Sequence, residues 1–187
     1  MCDFPQILHS SRCCLLVVDP QEKLMKVISK ADKVIKNSVL MIRMAQTLKM
    51  PVLATTQYRK GLGPFVPEIE ELLEGIPCID KMEFNAFLNH DFRKALSELP
   101  ASVDTLLITG VEAHICIYQT ALGALHNGFR PWVVADAISS RDKKNHKLAI
   151  QRLLSMGVAA GPAEMAVYEI LARADSGLFK AMRPYLK

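Results

Sequence analysis

The ten residues LITGVEAHIC, Leu107 to Cys116, decide how this chain folds. They read as the end of a buried strand that breaks at Gly110 into a short turn and delivers Cys116 into the first turns of a helix. Outward from them, apolar runs of strand length alternate with longer segments of helical period. Cys13–Val18, Val52–Thr56, Thr105–Thr109 and Pro131–Ala135 are rich in leucine, valine and isoleucine without polar alternation, the pattern of strands covered on both faces. Weaker strands fit at Pro77–Asp80 and Val158–Gly161. Between them, apolar residues recur at three and four over Asp32–Lys49, His90–Leu99, Ala113–Asn127, Lys143–Met156 and Pro162–Ala172. This βαβα alternation predicts an α/β fold, a doubly wound, mostly parallel, six-stranded sheet with helices on both faces, because right-handed crossovers leave few other arrangements. Asn127-Gly128 is expected to stop the helix after Cys116, Ser140 or Asp142 to cap the next, and Pro162 to take a first helical position.

Composition narrows the class. With 187 residues, half of them hydrophobic, and no repeats or charge blocks, the chain is expected to form one domain over 1–187, with a core over about 11–172 and a final helix over 177–187. The apolar run Cys13–Val18 is of strand length, far short of the roughly twenty residues of a membrane span, so no membrane partner is expected. The net charge of +4 is mild and the lysines are scattered. Such a distribution argues against nucleic acid and is compatible with a weak preference for anionic small molecules. Five cysteines, with Cys13 and Cys14 adjacent in one strand, make a poor disulfide framework. The expected setting is therefore reducing and cytoplasmic, with a mitochondrial location left open. His9, His90, His114, His126 and His146 are dispersed and no CxxC pair occurs, so no metal site is expected.

In a sheet of this kind the ligand lies beyond the carboxyl ends of the strands. Three predicted strand ends carry reactive groups there: Asp19 after Cys13–Val18, Lys81 after Pro77–Asp80, and Cys116 after Thr105–Thr109. An exposed thiol near a helix N-terminus would meet oriented N–H groups, which lower its pKa and favour the nucleophilic thiolate. Asp19 could accept the thiol proton, while Lys81 offsets the negative charge that would otherwise oppose thiolate formation. Taken singly, each residue has a plainer role: Cys116 in the core, Asp19 capping a turn, Lys81 solvated in a loop. Their shared place on one rim is what joins them.

The segments LLVVDPQ, PVLATTQYRKGLG, DKMEFNAF, LLITGVEAHICIYQTALGALHNG and VVADAISSR, in that order, resemble the isochorismatase-like cysteine hydrolase family over nearly the whole chain. Within it, TTQYRKGLG, VEAHIC and DSGLFKAM are most similar to the eukaryotic isochorismatase domain-containing group. The resemblance implies a three-layer α/β/α, Rossmann-like hydrolase fold and a catalytic triad of Asp19, Lys81 and Cys116. It further implies a non-proline cis peptide at Val111–Glu112, an oxyanion hole from the backbone of Glu112 and Cys116, and a small pocket at Gln21, Gln57, Tyr58 and Phe84. Relatives of this fold commonly assemble as dimers or larger, so a homo-oligomer, dimer or tetramer, is expected.

Family members that hydrolyse isochorismate do not use cysteine at the nucleophile position, so Cys116 points instead to cleavage of a small amide or related carbonyl C–N bond through a thioester. The nicotinamidase branch shares the triad but adds an aspartate and paired histidines that bind a metal. TTQYRKGLG lacks those histidines, so neither a metal nor another cofactor is expected. Two alternatives stand beside the cysteine hydrolase: a catalytically silent binding or interaction protein that retains the fold, and a nicotinamidase-like amidase. The substrate is left unassigned.

Overall fold

The computed structural model describes residues Ile7–Leu186. Six strands, β1 (Cys13–Val18), β2 (Val52–Gln57), β3 (Cys78–Lys81), β4 (Thr105–Val111), β5 (Arg130–Ser139) and β6 (Ala159–Gly161), form one sheet in the order β3-β2-β1-β4-β5-β6. Every neighbouring pair is parallel. The chain winds outward from β1 to β3, returns to place β4 beside β1, and winds the other way to β6. The carboxyl ends of β1 and β4 therefore flank the switch point where α/β sheets bind ligands.

Helices α1 (Glu22–Met25), α2 (Ala31–Leu48), α3 (Arg59–Leu62), α4 (Pro67–Glu70), α5 (His90–Ser97), α6 (Tyr118–His126), α7 (Lys143–Ser155), α8 (Ala163–Leu171) and α9 (Gly177–Met182) complete the layers. Alternation along β1 sends Leu15 and Val17 into one core with Met41, Ile42 and Val167, and Leu16 and Val18 into the other with Phe92, Ile117 and Leu153. Covered on both faces, β1 is buried at all six positions, as its unbroken apolar run predicts.

Several boundaries differ from the sequence reading for local reasons. The expected helix after β4 splits into a π-helical turn at Ala113–Ile117 followed by α6. β5 runs four residues past Ala135 because the polar stretch around Asp136 is tied down: the Asp136 carbonyl accepts from Asn37 Nδ2 at 2.8 Å, and its Oδ1 accepts from Ala163 N at 2.7 Å. Pro162 is the N-cap of α8 rather than its first residue. Asp142, not Ser140, caps α7 by accepting from Lys144 N. The final helix ends at Met182 and tightens into a 3₁₀ turn over Arg183–Tyr185; Lys187, the end of the expected helix, lies outside the described residues. Among the described residues no helix is long and apolar enough to cross a membrane.

Gly110 fixes the approach of β4 to β1 beside the switch point. Its φ is +116°, and a Cβ there would sit 1.9 Å from the Val18 carbonyl oxygen. No other residue fits against that backbone.

Candidate active site

Asp19 leaves β1 with a left-handed φ of 56°, a conformation a short polar side chain tolerates better than most. Its carboxylate is fully buried. Lys81 Nζ donates to Oδ2 at 2.7 Å, and Thr55 Oγ1 donates to Oδ1 at 2.7 Å. The Lys81 side chain is equally cut off from solvent and also donates to Gln57 Oε1 at 2.9 Å. A buried ion pair survives its desolvation only with close geometry and further hydrogen bonds. Thr55 and Gln57 supply those bonds, one for each partner. Burial is the strongest influence on the Asp19 carboxyl and raises its pKa, while Lys81, Thr55 and Cys116 pull it back.

Cys116 corrects one expectation. Its thiol is not exposed at a helix start but 6% exposed within the π-helical turn. Its pKa is pushed up to about 12, first by burial and then by the Asp19 charge, against the opposing effects of Lys81 and a backbone hydrogen bond from Glu112. Loss of solvation and the Asp19 charge outweigh these two, so the resting sulfur holds its proton. Thiol and carboxylate are neighbours, each among the causes of the other's shift. Asp19, Lys81 and Cys116 thus converge from the three predicted strand ends.

The turn is braced from the segment that follows β5. The Val111–Glu112 peptide is cis. Glu112 Oε2 accepts from Arg141 N at 2.9 Å, and Arg141 Nε stands 3.4 Å from Oε1. His114 Nδ1 pairs with Ser140 Oγ at 2.9 Å. The remaining predicted residues divide into two kinds. Gln21 is fully buried, donating Nε2 to the Gly63 carbonyl and accepting from Gln57 N, each at 2.7 Å. Gln57 is engaged at both ends, accepting from Lys81 and donating to the Met82 carbonyl at 2.9 Å. Both glutamines therefore brace the cleft, whereas the rings of Tyr58 and Phe84 are about half exposed. The Tyr58 ring lies against Gly61, where a Cβ would come within 2.1 Å of it.

Thr55 and Arg141 escaped the sequence reading, and Ser140 entered it only as a candidate helix cap. For Thr55 a signal exists: in TTQ, Thr55 and Gln57 are two apart on one strand and so share a face at its carboxyl end, and Thr55 registers with Val18 beside Asp19. Among the described residues, no group of three or more His, Cys, Asp or Glu side chains is placed to hold a metal ion.

Fold and cleft together define a doubly wound α/β protein with a paired carboxylate, ammonium and thiol at its switch point. The family model for the isochorismatase domain matches residues 13–164, and the chain belongs to this family of hydrolases. It is 33% identical to the secreted isochorismatase effector Isc1 of Phytophthora sojae, covering 97% of this chain and 86% of that protein. It is 32% identical to the mouse isochorismatase domain-containing protein 2B, covering 92% and 80%. A solved structure from Caenorhabditis elegans, described as the MAR1 ribonuclease, superposes with a TM-score of 0.90 at 29% identity, over 97% of this chain and 92% of that one.

Proposed function

We propose that the protein is a cysteine hydrolase that cleaves a small amide or related carbonyl C–N bond through a thioester on Cys116. The observation that carries this reading is the solvent-free Lys81–Asp19 pair against which the Cys116 thiol is packed. As sulfur attacks the carbonyl carbon, Asp19 accepts the thiol proton. The S–C bond forms, and the carbonyl oxygen takes the negative charge within reach of the backbone N–H groups of Glu112 and Cys116. Lys81 offsets charge while the proton is in transit. Collapse breaks the C–N bond, and the proton on Asp19 passes to the leaving amine. Water then attacks the thioester and gives its proton to Asp19; the S–C bond breaks, the acid leaves, and the sulfur recovers the proton.

A cysteine with so high a pKa is suited to this route. It is nearly unionised at rest and becomes nucleophilic only as Asp19 takes its proton. Tyr58 and Phe84 supply an apolar rim for a small substrate, with Gln57 holding the ammonium that the chemistry uses. The exposed Met82, Phe84 and Leu88 beside the cleft support assembly as a homo-oligomer.

The test is a small-amide library followed by intact and peptide mass spectrometry. Turnover with acyl mass on Cys116, both lost in Cys116→Ala, is the expected result. Turnover that survives Cys116→Ala, or a Cys116 no more acylated than Cys78, would overturn the thioester route. An RNA substrate belongs in the same assay because the C. elegans relative is described as a ribonuclease; RNA cleavage dependent on Asp19 with no amide turnover would replace the amide reading.

A further inference from the structure

A cavity of about 370 Å³ opens between α2, β5 and α7; Asp19, Lys81 and Cys116 are not among its lining residues. Lys30, Lys33 and Lys143 line it, with Asp136 as the only carboxylate in its wall among the described residues. That carboxylate is already engaged, by Ala163 N at 2.7 Å and by Lys33 at 3.6 Å. Lys30 and Lys143 have no carboxylate partner among the described residues.

A fourth group points to what the lysines face. His146 also lines the cavity, and its Nδ1 atom is buried with no hydrogen-bond partner among the described residues. Burial, helped by the charge of Lys30, holds the imidazole below its ordinary pKa. A buried polar nitrogen without a partner is rare and costly unless something else satisfies it. Val34, Ala135 and Ile138 add apolar surface to the lining, beside the polar Ser29 and Ser139.

We propose that this cavity binds a small phosphorylated organic molecule, its phosphate held by Lys30, Lys33 and Lys143 with His146 Nδ1–H donating to one oxygen, and its organic part against Val34, Ala135 and Ile138. Three ammoniums against one carboxylate leave two positive charges, which match a phosphate dianion and would leave a surplus over a monocarboxylate. Lysine serves as a point-charge ligand for phosphate. The volume falls within the range of about 300–1,000 Å³ typical of small-molecule sites and exceeds what bare phosphate needs. The cavity joins two stretches that are remote in sequence, 29–34 and 135–146, so no single motif announces it.

Phenyl phosphate is the probe, titrated by calorimetry at fixed ionic strength into Cys116→Ala protein, so that reaction in the cleft does not interfere. Phenol and benzoate serve as controls for the ring and for a single negative charge. Phenyl phosphate is expected to bind more tightly than either control. The Lys30→Gln/Lys143→Gln double variant should weaken it roughly ten- to hundredfold, as loss of charged hydrogen bonds does. The ¹⁵N resonance of His146 Nδ1 should move on saturation. Phenyl phosphate binding no tighter than benzoate, equal binding by the folded double variant, or an unmoved His146 resonance at saturation would each overturn the proposal. Because the lysines are exposed, circular dichroism of the double variant should match that of the parent.

Discussion

The cleft at the switch point and the cavity beside β5 both set lysine against a carboxylate, one in the cleft and three in the cavity, yet they treat charge in opposite ways. In the cleft, Asp19 and Lys81 are shut off from water, and each has a further protein partner in Thr55 or Gln57. In the cavity, the Lys33–Asp136 pair is 3.6 Å apart with the lysine side chain 56% exposed, and His146 Nδ1 has no partner among the described residues. A charge that is buried must be balanced by its own protein, whereas a solvated one is free to serve an outside ligand. Removing one charge should therefore injure the first site and barely disturb the second.

The largest effect is expected at Lys81. Lys81→Met leaves the Asp19 carboxylate uncompensated in a dry site, at a cost of about 3–5 kcal/mol in unfolding free energy. Hydrolysis should be lost with it. The Asp19→Asn/Lys81→Met double variant removes both charges and should recover much of the stability without the activity. Urea denaturation of the two single variants and the double variant gives the coupling; additive losses would mean that the pair does not act as a unit.

Burial also sets a pH dependence on the thiols. Cys116 and Cys14 are raised to about 12 and Cys13 to about 11 from 9.0, in each case mainly by burial. A raised folded pKa means that the folded chain keeps protons that the unfolded chain releases. The resulting stability is fully present below the unfolded pKa and is lost as pH rises through the folded values. Each buried thiol should contribute a fall of up to about 1.4 kcal/mol per pH unit above pH ~9. Urea midpoints measured on either side of that point should fall more steeply for the parent than for Cys14→Ala; equal slopes would contradict the assignment.

The fold was largely legible in the sequence because covered parallel strands are written as unbroken apolar runs: β1 matches Cys13–Val18 residue for residue. Elements without such a pattern were less visible. α1, α3 and α4 have four residues each, too few to show a helical period, and β5 continues through Asp136 only because Asn37 and α8 satisfy that residue from a distance. In the cleft, the strand-end rule reached Asp19, Lys81 and Cys116, since it depends on where strands stop. It did not reach the burial of Cys116 or the bond from Thr55, which depend on packing and register. The cavity was least visible, because Lys30 and Lys33 meet Asp136 and Lys143 only once β5 lies beside α2.

Thr55 separates the two partners of Asp19. Thr55→Val keeps the shape of the side chain and removes one hydrogen bond to the carboxylate, a loss of about 1–3 kcal/mol when the other group stays buried. Because Thr55 lowers the Asp19 pKa, its removal raises it, and the acid limb of the kcat/KM profile should move to higher pH. A drop in activity with an unmoved acid limb would show that Thr55 supports the strand and not the base.

The smallest effect is the counterpart of the first. Lys143→Gln removes a positive charge from a solvated wall, where neither a desolvated partner nor a buried hydrogen bond is left behind. Its thermal midpoint in the absence of ligand should correspond to a change within about 0.5 kcal/mol of the parent, the ordinary range for a surface substitution. Hydrolysis in the cleft should be unchanged, since Lys143 has no place among the groups around Asp19 and Cys116. A loss near that of Lys81→Met would mean that the cavity lysines hold the fold together, and the contrast between a self-balanced cleft and a ligand-facing cavity would fall.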